Sequence, residues 1–347
     1  MSLSTTSAHL LGLTYAGVYV GSLYVSKYGR TVFTSVTRPG REGTRGEQEE
    51  EKRRVSVQER SRDDPTVIRA RLTAVSFATL GCLVLACVIV AQVEYGSLGW
   101  HSLQTSVTDA SVLLGLRLPP FNLSSLLPHF VIPALFLGPL TALFIDSLPG
   151  SHTFRSGNLQ PFLTDPFSLI SIRNYIIAPI TEELVFRSCI LSTYLFAFSS
   201  TPSLTSTKII FLSPLHFGLA HLHHAWEAYN RFGRTRAALK RAVLQSTFQM
   251  VYTTVFGSLC AFLWLRGVPS LSESARTVYS SRAPSVYAPI TAHIFCNLMG
   301  FPDFSGDIYR ARARLGPIGG VLVRIAYLGG VGLFGWAVWS EKGRGLW

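Results

Sequence analysis

Apolar residues lie along this chain in blocks, separated by short polar stretches. A block of about 20 apolar residues is long enough to cross a bilayer as a helix. Candidate blocks fall at residues 10–25, 72–93, 127–148, 173–199, 208–224, 243–265, 286–301 and 320–340. The pattern predicts an all-α, polytopic membrane helix bundle of about eight transmembrane helices. The third block contains Pro133, Gly138 and Pro139. Such residues are tolerated in a span where neighbouring helices satisfy the freed backbone groups. Residues 26–71 form the one long hydrophilic insertion, with Glu49-Glu50-Glu51 set against Lys52-Arg53-Arg54. Most of it is expected to be disordered. Its end, Arg62 to Arg71, is more helix-like and leads into the second span. The expected division is a first span plus basic loop (1–71), a central bundle (72–305), and a last span with its tail (306–347). No internal repeat is seen. The N-terminal block lacks a basic leader and continues to about residue 25, so it is expected to be a span and not a cleaved signal.

Composition agrees with a membrane protein: 48% of the 347 residues are hydrophobic and only 14% charged. The net charge of +12 is concentrated in loops. Basic residues crowd 26–71, then Arg231, Arg234, Arg236, Lys240 and Arg241, then Arg310, Arg312 and Arg314. By the positive-inside rule these loops are cytoplasmic and the N-terminus lies across the membrane. The charge fits anionic lipid, and no nucleic-acid motif accompanies it. The five cysteines all fall in apolar segments, which argues for buried thiols and against a disulfide framework. Asn122-Leu123-Ser124 is a glycosylation sequon on the far side.

Three blocks carry groups that a membrane interior resists. Within 173–199 lie Glu182, Glu183 and Arg187. A charge at mid-bilayer costs ~2.5–3.5 kcal/mol on insertion scales, so such residues usually mark function. Glu183 and Arg187 are spaced i, i+4 with the acid first, the favourable order for an ion pair. Glu182 points about 100° away round the helix and is read as the acid left for chemistry. The fifth block holds His216, His221, His223 and His224. The seventh holds His293 and Asn297, i, i+4 on one face. Taken alone, the acidic group could be a buried structural charge cluster, a single histidine near a helix end an interfacial polar residue, and His293 with Asn297 helix-to-helix glue. Together they supply a general base and oxyanion donors. Glu and His are also zinc ligands, but HExxH is absent, as is any Cys/His pair at zinc spacing. No Ser or Cys stands out as a nucleophile. A transporter would also bury ionisable groups, yet no repeat or paired broken helices are seen. A scaffold without activity is the third alternative.

At these residues the chain resembles the type II CAAX prenyl endopeptidase family. The family's EExxxR is Glu182-Glu183-Leu184-Val185-Phe186-Arg187, its FxxxH is Phe217 to His221, continued by Leu-His-His, and its HxxxN is His293 to Asn297. Flanks match as well, from Ile177 to Thr181 and from Gln249 to Gly257, so the similarity covers roughly residues 60–305. His216 departs from the usual aromatic residue. The resemblance implies an intramembrane active-site cavity that takes a C-terminal Cys-a-a-X sequence already prenylated on Cys and releases the last three residues. It implies that Glu182 and His221 activate water, that His293 and Asn297 stabilise the oxyanion, and that Glu183 and Arg187 orient the site. The implied substrates are farnesylated or geranylgeranylated proteins such as Ras-like small GTPases, met in the endoplasmic reticulum membrane. No cofactor is expected; a zinc-dependent protease is the alternative.

Overall fold

The apolar blocks fold as helices in the computed structural model, which describes residues 3–33, 60–96, 99–149, 159–198, 204–265 and 284–339. The acidic run at 49–51 and the basic run after it lie outside the described residues. Among those described there is no strand, only a single antiparallel bridge between Val32 and Arg60. Four helices are long and apolar enough to cross a membrane: Thr5–Val25 (α1), Pro65–Val93, Arg236–Leu265 and Phe304–Trp339. A bent pair, Leu127–Leu135 with Leu137–Ser147, makes five if it is one span.

The ends of these helices follow from local chemistry. The second begins where Asp64 accepts hydrogen bonds from the Thr66 and Val67 amides, with Pro65 in the first turn. An acceptor at the cap and proline just inside satisfy or remove the orphan donors of a helix start. Its α-helical part is Pro65–Val90 (α2).

The third expected span is not one straight helix. It breaks at Phe136 and bends by 75°. Pro139 supplies no amide, and its ring collides with the carbonyl four residues earlier, so the helix cannot run through unbroken. The second arm, Leu137–Ser147 (α3), packs on the last helix through Ala142, Ile145, Ile308, Ala311 and Val323. Glycines allow the approach: a Cβ at Gly138 would stand 2.2 Å from the Tyr327 ring, and one at Gly330 would stand 2.6 Å from the Ala134 carbonyl oxygen.

Three more of the expected spans are helical but divided or short. Residues 169–198 alternate between α and π turns around Ala178–Glu183 (α4). The histidine block splits into Ser206–Leu212, Pro214–Ala220 (α5) and His223–Arg231 (α6). Pro214 starts α5 and cannot donate back into the preceding turn. Arg236–Leu265 (α7) follows, then Tyr287–Met299 (α8). The last run, Phe304–Trp339 (α9), is interrupted at Gly316, whose φ of 66° favours glycine, and Pro317 follows. The basic residues expected in a loop here are on its first half. Arg310 Nε lies 3.3 Å from Asp146 Oδ2, and Arg310 also pairs with Asp307.

Contacts group the chain into two compact units. One is Met1–Ala110 with Leu184–Phe262; the other is Ser111–Glu183 with Leu263–Trp347. In the first, α1 packs on α2 and on the Ile190–Phe198 helix, burying Tyr15, Ile68, Ile190, Leu191 and Tyr194. In the second, the Ala142–Val323 cluster forms the core between α3 and α9.

Candidate active site

The acidic pair closes α4, which is flanked by π turns at Arg173–Ile177 and Leu184–Cys189. A π turn inserts an extra residue into the helix and is frequent at functional sites. The two carboxylates differ in environment. Glu183 is wholly buried, whereas the Glu182 side chain keeps 19% of its surface. Glu182 is therefore the more accessible of the two acids.

His293, from α8 in the same unit, sits between them. Its Nδ1 is 2.8 Å from Glu183 Oε1, and its Nε2 is 3.8 Å from Glu182 Oε2. An ionised carboxylate only accepts, so Nδ1–H donates to Glu183. That hydrogen bond sets the ring's orientation and leaves Nε2 facing the more exposed acid. Asn297, one turn further along α8, donates from Nδ2 to the Asn174 carbonyl oxygen at 2.9 Å. The start of α8 is tied down from outside the motif. The Val286 amide donates to Gly115 O at 3.0 Å, and the Tyr287 hydroxyl donates to Leu116 O at 2.7 Å. Thr291 and His129 Nδ1 share a hydrogen bond of 2.7 Å.

The other unit holds Arg187 and the histidine motif. Arg187 is buried, with its guanidinium 4.6 Å from the centre of the Phe217 ring. That is cation–π distance. His221 closes α5, its ring edge-on to Phe217 at 4.7 Å. Its Nδ1 donates to Phe217 O at 2.7 Å, so in the neutral ring Nε2 carries the lone pair. His216 is turned elsewhere. It is buried, its Nδ1 donates to Ser213 O at 2.9 Å, and its ring stacks on His9 at 6.2 Å. His9 in turn bonds the Tyr194 hydroxyl at 2.6 Å. Gly12 makes room, since a Cβ there would stand 2.7 Å from His216 Nε2. His216 and His221 thus face different partners, and His216 belongs to a polar contact between α1 and α5.

Of the residues singled out from the sequence, Glu182, Glu183, His293 and Asn297 come together in one unit. Arg187 and His221 belong to the other unit. Asn174, His129, Arg71 and Glu227 were not singled out. Only Glu227 carried a signal, three residues beyond His224 on the same helix face. The five thiols are free; Cys82, Cys189 and Cys260 are buried.

Comparison with known proteins bears on the same segment. A family model described as type II CAAX prenyl endopeptidase Rce1-like matches residues 164–299. CAAX prenyl protease 2 of Homo sapiens is 33% identical over 281 residues, 79% of this chain and 71% of that protein. CAAX prenyl protease 2 of Arabidopsis thaliana is 37% identical over 188 residues, 54% of this chain and 46% of that protein. The probable CAAX prenyl protease 2 of Schizosaccharomyces pombe is 31% identical over 248 residues, 72% and 73% respectively. No solved structure matches the chain.

Proposed function

The chain belongs to the type II CAAX prenyl endopeptidase family, and we propose that it removes the last three residues from proteins ending in a prenylated Cys-a-a-X sequence. It is a protease of the membrane, built from helices. Its substrates are farnesylated or geranylgeranylated proteins such as Ras-like small GTPases. It works in the endoplasmic reticulum membrane, crossing it about eight times if the divided helices also span.

The observation that carries the mechanism is His293 held between a buried and a more exposed carboxylate, with Asn297 one turn away. Glu182 takes a proton from water, and the hydroxide attacks the carbonyl carbon of the prenylated cysteine itself. The family resemblance gives His221 a share in activating water; its Nε2, left as acceptor by its bond to Phe217 O, is the nitrogen able to take a proton. Negative charge then develops on the carbonyl oxygen. The Glu183 carboxylate stabilises the imidazolium form of His293, in which Nε2 also carries a proton and donates to that oxygen. Asn297 supplies a second donor, and Arg187 helps to orient the site. As the tetrahedral species collapses, the C–N bond breaks and the proton held by Glu182 passes to the leaving amine.

No metal enters this scheme. The reading rests on the sequence, which holds no HExxH and no Cys/His pair at zinc spacing. The protein in proteoliposomes is expected to release a tripeptide from a prenylated peptide and to leave its unprenylated twin uncut, as read by mass spectrometry. Prolonged chelation is expected to leave that activity intact. Absence of tripeptide would overturn the function; activity lost to chelation and restored by one zinc per chain would overturn the metal-free mechanism.

A thiol mechanism is separately testable. Reactive cysteines sit in electropositive, partly exposed surroundings, and three of these five are buried. Replacing all five with Ala or Ser is expected to leave substantial activity. A loss traced to one cysteine, with the fold intact, would revive the thiol.

A further inference from the structure

The histidine motif has a support that its own sequence does not announce. Glu227, three residues past His224 on α6, is buried, and its two oxygens face different partners. Oε1 accepts from Arg71 Nη2 at 2.9 Å, while Oε2 lies 3.7 Å from His224 Nδ1. Arg71, on α2, also donates from Nε to Gly29 O at 2.7 Å, at the end of the α1 turn. The His224 ring stands 5.9 Å from the His221 ring. A chain of contacts therefore runs from a fixed arginine, through a carboxylate, to the two histidines of the motif, all within one unit.

We propose that Glu227 is a positioning residue of this protease: held by Arg71, it orients His224 and through it the ring of His221. The inference rests on the role given to His221 above. A carboxylate that splits its oxygens between an arginine and an imidazole limits where the imidazole settles, as acids behind catalytic or metal-bound histidines do. Burial alone would disfavour the charged carboxylate, but His224 and Arg71 outweigh it and hold Glu227 at about 2. It is ionised throughout the working pH range and acts as a fixed charge, not as a proton carrier.

Glu227→Gln separates this role from that of a structural clamp. The amide oxygen still accepts from Arg71, but an NH2 group in place of Oε2 cannot accept from His224 Nδ1–H. The variant is expected to keep its thermal midpoint and KM for the prenylated peptide while kcat falls about tenfold. In a His224→Ala background the same change is expected to have no further effect, since residues acting as a chain are not additive. The reaction of His224 with diethyl pyrocarbonate, followed by mass spectrometry, is expected to quicken in Glu227→Gln. An unchanged kcat in the folded variant, or additive losses with His224→Ala, would overturn the proposal. If the wild type releases no tripeptide, the proposed function fails. The pyrocarbonate rate then decides the positioning alone, and an unaltered rate rejects it.

Discussion

Glu182→Ala is expected to abolish tripeptide release while the protein still inserts and is extracted folded. The effect follows from the difference between the two acids. Glu183 is sealed and committed to His293, whereas Glu182 keeps 19% of its side-chain surface and stands 3.8 Å from the imidazole. The second is the more accessible of the two, as the proposed general base needs to be. Loss of a positioned general base typically costs ~10²–10⁴ in rate, enough to bury turnover in the background of most assays. The fold is expected to tolerate the change. An ionisable group in a membrane helix opposes insertion by ~2.5–3.5 kcal/mol, so alanine makes insertion easier. Glu182→Gln serves as the isosteric control and is expected to be equally inactive, because an amide cannot accept the proton. Rates in proteoliposomes, set beside thermal stability in detergent, check this. Near wild-type turnover by either variant would remove Glu182 from the chemistry.

His293→Ala comes next, with an expected fall in kcat of ~10²–10³ and little change in KM, the loss typical of one oxyanion donor in a dry site. A prenyl chain needs apolar walls, which this change leaves in place, so ground-state binding is expected to persist. Two companions sharpen the test. Asn297→Ala is expected to lose about tenfold to a hundredfold, less than His293→Ala, as a second donor does. Glu183→Gln keeps an acceptor at His293 Nδ1 but removes the negative charge that the proposed mechanism sets beside the ring. It is expected to lower kcat without freeing the ring. Steady-state kinetics on the folded fraction decide between chemistry and glue. If the variants melt early and their folded fraction turns over normally, His293 and Asn297 only hold α8 in place.

Much of this protein is legible one residue at a time. Helix is the required state for apolar blocks of bilayer length, because lipid offers the backbone no partners. Blocks such as Thr5–Val25 and Arg236–Leu265 therefore announce themselves. The residues of interest are legible for the same reason: Glu182, Glu183, Arg187, His221, His293 and Asn297 stand out because their surroundings are apolar. Spacing also placed His293 and Asn297 on one face, since that depends only on the helical repeat.

Partnership was not legible. Spacing along one helix could not reveal that Glu183 also meets His293 at 2.8 Å, 110 residues away. The π turns on either side of α4 alter the register that such spacing assumes. The apolar run of the third span hid its 75° bend, set where Pro139 and close packing at Gly138 act together. Four histidines in one block looked alike, but His216 turned to His9 and His224 to Glu227. Hydrophobic burial is non-directional and can be counted along a chain. A hydrogen bond or ion pair depends on distance and angle between groups that only the packing of helices brings together. The sequence thus determined which residues must be buried at a cost, and the tertiary structure decided what each one was buried against.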